Sequence, residues 1–271
     1  MTSKRLLIAL SSFLALVVVG AFTWTLTYDD PHKTRTDTAS TPTEHDATAP
    51  ASSGSPEPAT PSTEPPTTDL FGNRLEVPAH SAGVVVAQTP AARPDPVGTD
   101  YLTAAPAGLR WQRIWGGAAA PISSSDGPAQ IINGIATGFS RTPQGAALAA
   151  ADALARALAA PEGTWQQVVA ERFFGGGQPL LDRFARSRAG TPEAAGYVTV
   201  PDGVRVRPGY QPDLAVVEFA LEGRDGYAVS TWPMVWVDGD WKVRVDNLEI
   251  LWGPTAPVYT LAGFGSWKES R

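Results

Sequence analysis

Cysteine is absent, so no disulfide, thiol chemistry or lipid attached through sulfur is open to this chain. Histidine is nearly absent: His32, His45 and His80 are the only three, all in the first third of the sequence. With no Cys and no later His, the common zinc constellations are missing. A Ser-His-Asp triad would require His80 to fold back onto the rest of the chain. Lysine is scarce, at 4 against 17 arginines. No Gly-Lys-Ser/Thr follows Gly175-Gly176-Gly177, so these glycines are not a phosphate loop. Excess charge is also lacking where a domain is expected. Residues 107–271 hold 16 acids and 15 bases, which argues against direct binding of a nucleic-acid backbone. Residues 29–106, with 11 acids and 4 bases, by themselves carry a charge of −7, against −6 for the whole chain.

What is present divides the chain into four parts. Residues 1–5, ending in Lys4-Arg5, read as a cytoplasmic tail, and the apolar run over residues 6–28 is long enough to cross a hydrocarbon layer of ~30 Å. Trp24 and Tyr28 fall at the outer interface and Asp29-Asp30 end the run, which predicts a single-pass cell-membrane protein with its C-terminal part extracytoplasmic. The competing reading is a cleaved signal peptide with Val19-Gly20-Ala21 as its small-residue site. Residues 29–106, rich in Pro, Thr and Ser, read as an acidic linker, within which Leu70-Phe71 and Leu75–Val86 are apolar enough to dock on the domain. As a random coil, its roughly 75 residues would reach about 45–50 Å. Eight of the nine tryptophans lie at or beyond Trp111, which places the folded domain at 107–271.

Within that domain the sequence predicts an irregular lead-in around Trp111 and Trp115, then helices, then strands. Thr142 is suited to cap a helix and Pro143 to open it, and from Ala146 to Ala160 nearly every residue is Ala or Leu. Leu154, Leu158, Ala147 and Ala151 share one face, while Asp152 and Arg156 pair four apart on another. A second helix is expected from Thr164 through Phe174 and a third from Pro179 to Arg188. From about Gly203 the period becomes two, with strands expected around Val204–Arg207, Leu214–Leu221, Tyr227–Val237 and Asp240–Val245, and Leu248–Leu251 as a candidate continuation of the last. Pro233 demands a bulge or an edge, and Asp238-Gly239 makes a two-residue turn. The expected fold is α+β: about three helices packed on a curved, four-stranded antiparallel sheet.

Helices followed by strands that end in the hairpin Val237-Asp-Gly-Asp-Trp-Lys-Val243 resemble the cone-shaped fold of the nuclear transport factor two-like superfamily. Gly127-Pro128, Gly138-Phe139, Thr142-Pro143-Gln144-Gly145-Ala146 and Trp236–Trp241 resemble an actinobacterial family of membrane-anchored proteins of unknown function, associated with integrative and conjugative elements. The order of tail, span, linker and cone-shaped ectodomain is also similar to assembly-factor subunits of type IV secretion and conjugation machines. This resemblance implies a non-enzymatic protein that interacts with other envelope or secretion proteins, with homo-oligomerisation possible.

Candidate chemistry is sparse. Asp182, Glu218 and Asp246 are placed to be a cavity carboxylate of the kind cone-fold enzymes use, but the simpler reading puts Glu218 on the solvated outer strand face, Asp182 at a helix cap or surface and Asp246 at a strand end. Asp238-Gly239-Asp240 lacks the remaining ligands of a calcium loop. No catalytic, metal or cofactor-binding residue is assigned, and no cofactor is expected. Glu218, Trp232, Trp236 and Trp241 are the candidate pocket or interaction residues, and Thr142, Pro143 and Gly239 the structural ones. Two alternatives stand beside the interaction reading: a small-molecule-binding or isomerase-like cone, and a cell-wall-binding surface protein.

Overall fold

A computed structural model describes residues 64–191, 193–223, 226–253 and 255–268. The expected tail, membrane span and most of the linker lie outside the described residues, as do His32 and His45.

The long helix forms as its sequence requires. α1 spans Pro143–Ala159, with Pro143 in its first turn and the Thr142 hydroxyl accepting from the Gly145 N–H at 3.0 Å. It is buried on nearly all sides, which alanine permits because its small side chain allows backbones to approach closely. Ala151 and Leu154, on the expected apolar face, are only partly buried, whereas Asp152 and Arg156 are fully buried. α2 (Thr164–Arg172) begins one residue after Gly163, so Thr164 is its first residue rather than its cap, and α3 spans Gly177–Gly190.

The main sheet differs from the expected one. It has six strands: β7 (Phe173–Gly175), β8 (Gly203–Val206), β9 (Leu214–Gly223), β10 (Gly226–Val237), β11 (Asp240–Val245) and β12 (Ala256–Val258). The order is β7-β11-β10-β9-β8, with β12 beside the first part of β10. All pairs are antiparallel except β7 with β11, so the sheet is mixed. Phe173 and Phe174 therefore leave the expected second helix and become strand, because Val243 and Arg244 offer an open edge beside them. Pro233 lies inside β10 without ending it. On one side it faces Val216 of β9; on the other it falls between the end of the β12 pairing at Val229 and the start of the β11 pairing at Met234, where no ladder N–H is needed. Leu248–Leu251 does not prolong β11: Glu249–Trp252 is a single helical turn, α4.

Three hairpins complete the domain: β1 (Thr67–Thr68) with β2 (Arg74–Leu75), β3 (Arg110–Ile114) with β4 (Ala118–Ile122), and β5 (Gln130–Ile132) with β6 (Ile135–Thr137). The lead-in around Trp111 is thus a regular hairpin, turned by Gly116-Gly117. The linker expectation does not hold for residues 64–106. Leu75 is fully buried, Glu76 bonds β3 through its N–H and its carbonyl at 2.8 Å each, and Val206 donates to Leu102 O at 2.8 Å. These partners are distant in sequence, so a local composition rich in Pro and Ala does not reveal them.

The β10–β11 turn has the expected chemistry. Asp238 (φ 55°) and Gly239 (φ 80°) are both left-handed, and the register sets Trp236 opposite Trp241 and Met234 opposite Val243. A Cβ at Gly239 would meet nothing within 4 Å, so substitution there tests backbone strain alone. Gly239→Val should cost ~1–3 kcal/mol in urea unfolding. An unchanged midpoint would mean that the turn conformation does not hold the register.

Candidate functional site: an aromatic and arginine surface at the start of the long helix

The stretch before α1 is clamped between two buried carboxylates. Asp126 is fully buried and accepts from the Thr142 hydroxyl at 2.5 Å and the Ser125 hydroxyl at 2.6 Å, with Arg93 Nε 3.6 Å away. Its negative charge lies at the positive end of the helix dipole. Asp240 accepts from the Gly138 N–H (2.9 Å), the Phe139 N–H (3.3 Å) and Arg172 Nη1 (2.8 Å). A Cβ at Gly145 would run into the Ser140 backbone, so only glycine fits the close first turn of the helix. Residues 138–146 are thereby a structural joint. Ser123 and Ser125 beside it are fully buried as well.

The candidate side chains separate into core and surface. Trp232 and Trp236, four apart on β10, share a face, but they sit differently. Trp232 is buried in the core near Phe219, with ring centroids 6.4 Å apart, whereas Trp236 is only half-buried at the strand end. Trp241 is fully buried and its Nε1 donates to Ser140 O at 2.9 Å. Glu218 is not a cavity carboxylate. Its neighbours Val217 and Phe219 belong to the core, so alternation turns Glu218 to the other face, where it accepts from Arg205 Nε at 2.5 Å and Arg207 Nε at 2.7 Å. That face was expected to be solvated, but the two arginines bury the carboxylate and Arg205 in turn stacks over Phe264 at 4.1 Å. Asp182 and Asp246 are exposed, the latter paired with Arg244 at 2.8 Å, and His80 is exposed.

The cavity beneath the sheet is apolar and small, about 50 Å³, lined by Trp111, Leu154, Phe219 and Trp232 among others. Ligand pockets usually offer roughly 300 Å³ or more. A surface groove of about 1070 Å³ runs between the β1–β2 hairpin and β3, but two of its cations already have partners. Arg110 pairs with Glu76 at 3.2 Å and Lys268 with Asp202 at 2.6 Å.

The most distinctive surface lies beside the joint. Tyr101 and Tyr210 line an open depression of about 380 Å³, together with Leu102, Thr103 and Pro96. Gln144 fastens this loop to α1, its Nε2 donating to Tyr101 O at 2.6 Å and Ala104 O at 3.2 Å. Tyr210 donates its hydroxyl to Arg141 O at 3.0 Å; burial above all pushes that phenol up to about 12, so it remains a donor throughout the physiological range. The Arg141 guanidinium lies 5.4 Å from the Trp236 ring centre and its Nε donates to Pro212 O at 2.6 Å. Trp236 packs edge-on against Trp241 at 5.5 Å, and Tyr210 lies 6.3 Å from that same ring. Leu214, opposite Val235, is 40 % exposed. A half-exposed Trp held by an Arg, whose carbonyl in turn holds Tyr210, has the residue types of interface hot spots. Trp236 was legible as a candidate, but Arg141, Tyr101 and Tyr210 were not. They come from three separated loops, and only the tertiary structure sets Arg141 over Trp236, Tyr210 on Arg141 and Tyr101 in the depression beside Tyr210.

No curated protein and no solved structure is significantly similar to this chain. One family model does match, over residues 76–266, and it begins within the stretch whose fold the composition concealed. That match covers well over half of the sequence, and the chain belongs to the family described as Domain of unknown function (DUF8175).

Proposed function

We propose that this is a non-enzymatic, single-pass envelope protein whose extracytoplasmic domain binds other proteins, within a conjugative-transfer or secretion-type assembly. The observation that carries the reading is the Trp236–Arg141–Tyr210 contact chain, which leads into the depression that Tyr101 and Tyr210 line. The apolar run over residues 6–28 supports membrane attachment, and the acidic stretch after it supports a spacer. Three helices ahead of a largely antiparallel sheet support the likeness to the cone-shaped superfamily, and through it to the assembly factors of type IV secretion.

The test combines topology and contact in one preparation. A photo-crosslinking amino acid replaces Leu214, beside the surface, or Ile132, which is 58 % exposed on the β5–β6 hairpin. Crosslinking at position 214 in native membranes should capture a discrete protein that position 132 does not. The intact mass of the extracted chain should include residues 1–28. Equal, diffuse labelling from both positions would sink the interaction surface, and a mature chain starting near Phe22 would sink the anchor.

A further inference from the structure

The geometry points to the depression between Tyr101 and Tyr210 as a carbohydrate site, one that takes a neutral pyranose unit of a glycan. Two loops form it: residues 96–103 ahead of β3, and the connection from β8 to β9 that holds Gly209 and Tyr210. It is open and about 380 Å³ in volume, within the roughly 300–1,000 Å³ of small-molecule sites. None of the described residues that line it is charged. Thr99, Tyr101, Leu102, Thr103 and Tyr210 supply hydroxyls, rings and methyl groups, and Gly209 at φ 96° supplies backbone. The inference concerns this depression alone and goes beyond the protein partner proposed for the flank at Trp236 and Leu214.

The first loop is fixed in the way a binding wall must be. Four successive carbonyls turn inward onto three remote elements. Tyr101 O and Ala104 O accept from Nε2 of the buried Gln144 on α1 at 2.6 and 3.2 Å, Leu102 O from the Val206 N–H of β8 at 2.8 Å, and Thr103 O from Trp267 Nε1 at 3.0 Å. A loop already ordered in this way loses little further freedom when a ligand binds. On the other wall, Tyr210 is held by its hydroxyl bond to Arg141 O. Burial above all raises both phenols above their ordinary value, so each remains a neutral ring with a hydroxyl at physiological pH. These properties select the ligand. A charged ligand would need a counter-charge in the lining, and an apolar one would need enclosure that an open depression does not give. A pyranose has a face of C–H groups that lies flat on a tyrosine ring, and hydroxyls that donate and accept as those of Tyr and Thr do.

The experiment uses the full chain in a polyoxyethylene detergent, whose headgroup carries no sugar. Chitotetraose, maltotetraose and tetragalacturonate are titrated into it by calorimetry. Saturable binding of a neutral oligosaccharide is expected, with an affinity that does not change between low and high salt, because no charge is neutralised. Preference for chitotetraose would assign the site to N-acetylhexosamine glycans and preference for maltotetraose to neutral glucans; either supports it. Tyr101→Ala, which removes a ring, and Thr99→Arg, which crowds the depression from its exposed rim, should each weaken binding at least about tenfold. Thr99→Arg should melt as the unsubstituted chain does, so it decides the matter if Tyr101→Ala loosens the loop. No binding of either neutral oligosaccharide, tighter binding of the galacturonate, or binding that neither substitution weakens overturns the inference. If no sugar binds and Thr99→Arg abolishes capture at position 214, the depression belongs to the protein interface and only the carbohydrate site falls.

Discussion

Replacing Asp152 by alanine should destabilise the domain by ~3–5 kcal/mol, the cost of leaving a buried cation without its partner. Both Asp152 and Arg156 are inside α1 and essentially inaccessible, and Arg156 Nε donates to the two carboxylate oxygens at 2.8 and 2.9 Å. The guanidinium also donates to Ala82 O at 2.8 Å and Gly134 O at 2.9 Å and stacks over Trp115 at 5.6 Å. One arginine thereby ties the 64–106 segment and the β5–β6 hairpin to the central helix. The double variant Asp152→Leu/Arg156→Met should recover part of the loss, since no lone charge remains buried. It should not recover all of it, because two carbonyls lose their donor. Denaturant unfolding of the three chains measures this. A double variant less stable than Asp152→Ala would refute the account.

The same pair has a pH signature. Burial raises the Asp152 carboxyl above its ordinary 3.8, and the attraction of Arg156 only partly offsets this. The folded chain therefore holds that proton to higher pH than the unfolded chain does. Its contribution favours folding most below 3.8 and declines as pH rises through the raised folded value. In Asp152→Ala this decline should disappear from the stability profile over that interval. Its persistence would assign it to another group.

Trp241→Ala should cost a similar ~3–5 kcal/mol, or on the order of 10 °C in melting temperature for a domain of this size. The ring is fully buried, its Nε1 satisfies Ser140 O, and both Trp236 and Tyr210 lean against it. Removing it opens a void under the aromatic surface and frees the backbone that leads into α1. A chain that melts normally but no longer captures its partner would show that Trp241 acts through contact and not through packing. Arg141 differs in degree: Arg141→Glu loses its bond to Pro212 O and its stacking on Trp236, so it should lower the melting temperature far less than Trp241→Ala while abolishing capture at position 214.

Local sequence was sufficient wherever a short-range rule decides. Thr142-Pro143 ahead of an Ala/Leu run determines where α1 starts, because the cap and the fixed proline φ act within one turn. Asp238-Gly239 determines the β10–β11 register, because only residues tolerant of positive φ close that turn. Alternation along β9 and β11 marks Val217, Phe219, Trp241 and Val243 as core. The tertiary structure decided the rest, where the partner is remote. Spacing paired Asp152 with Arg156 at i, i+4 but did not reveal that the pair is buried. Their setting in a run otherwise made of Ala and Leu was the one local hint that water would not reach them. Phe173 and Phe174 became strand because β11 had a free edge, residues 64–106 joined the fold through bonds to positions far along the chain, and Glu218 was buried by arginines of a neighbouring strand. Arg141 and Tyr210, 69 residues apart, meet only because the joint between Asp126 and Asp240 brings the start of α1 against the end of β10. Short-range rules act through the chain's own dihedral angles and turn chemistry, whereas burial and juxtaposition depend on which distant surfaces the packed elements bring together.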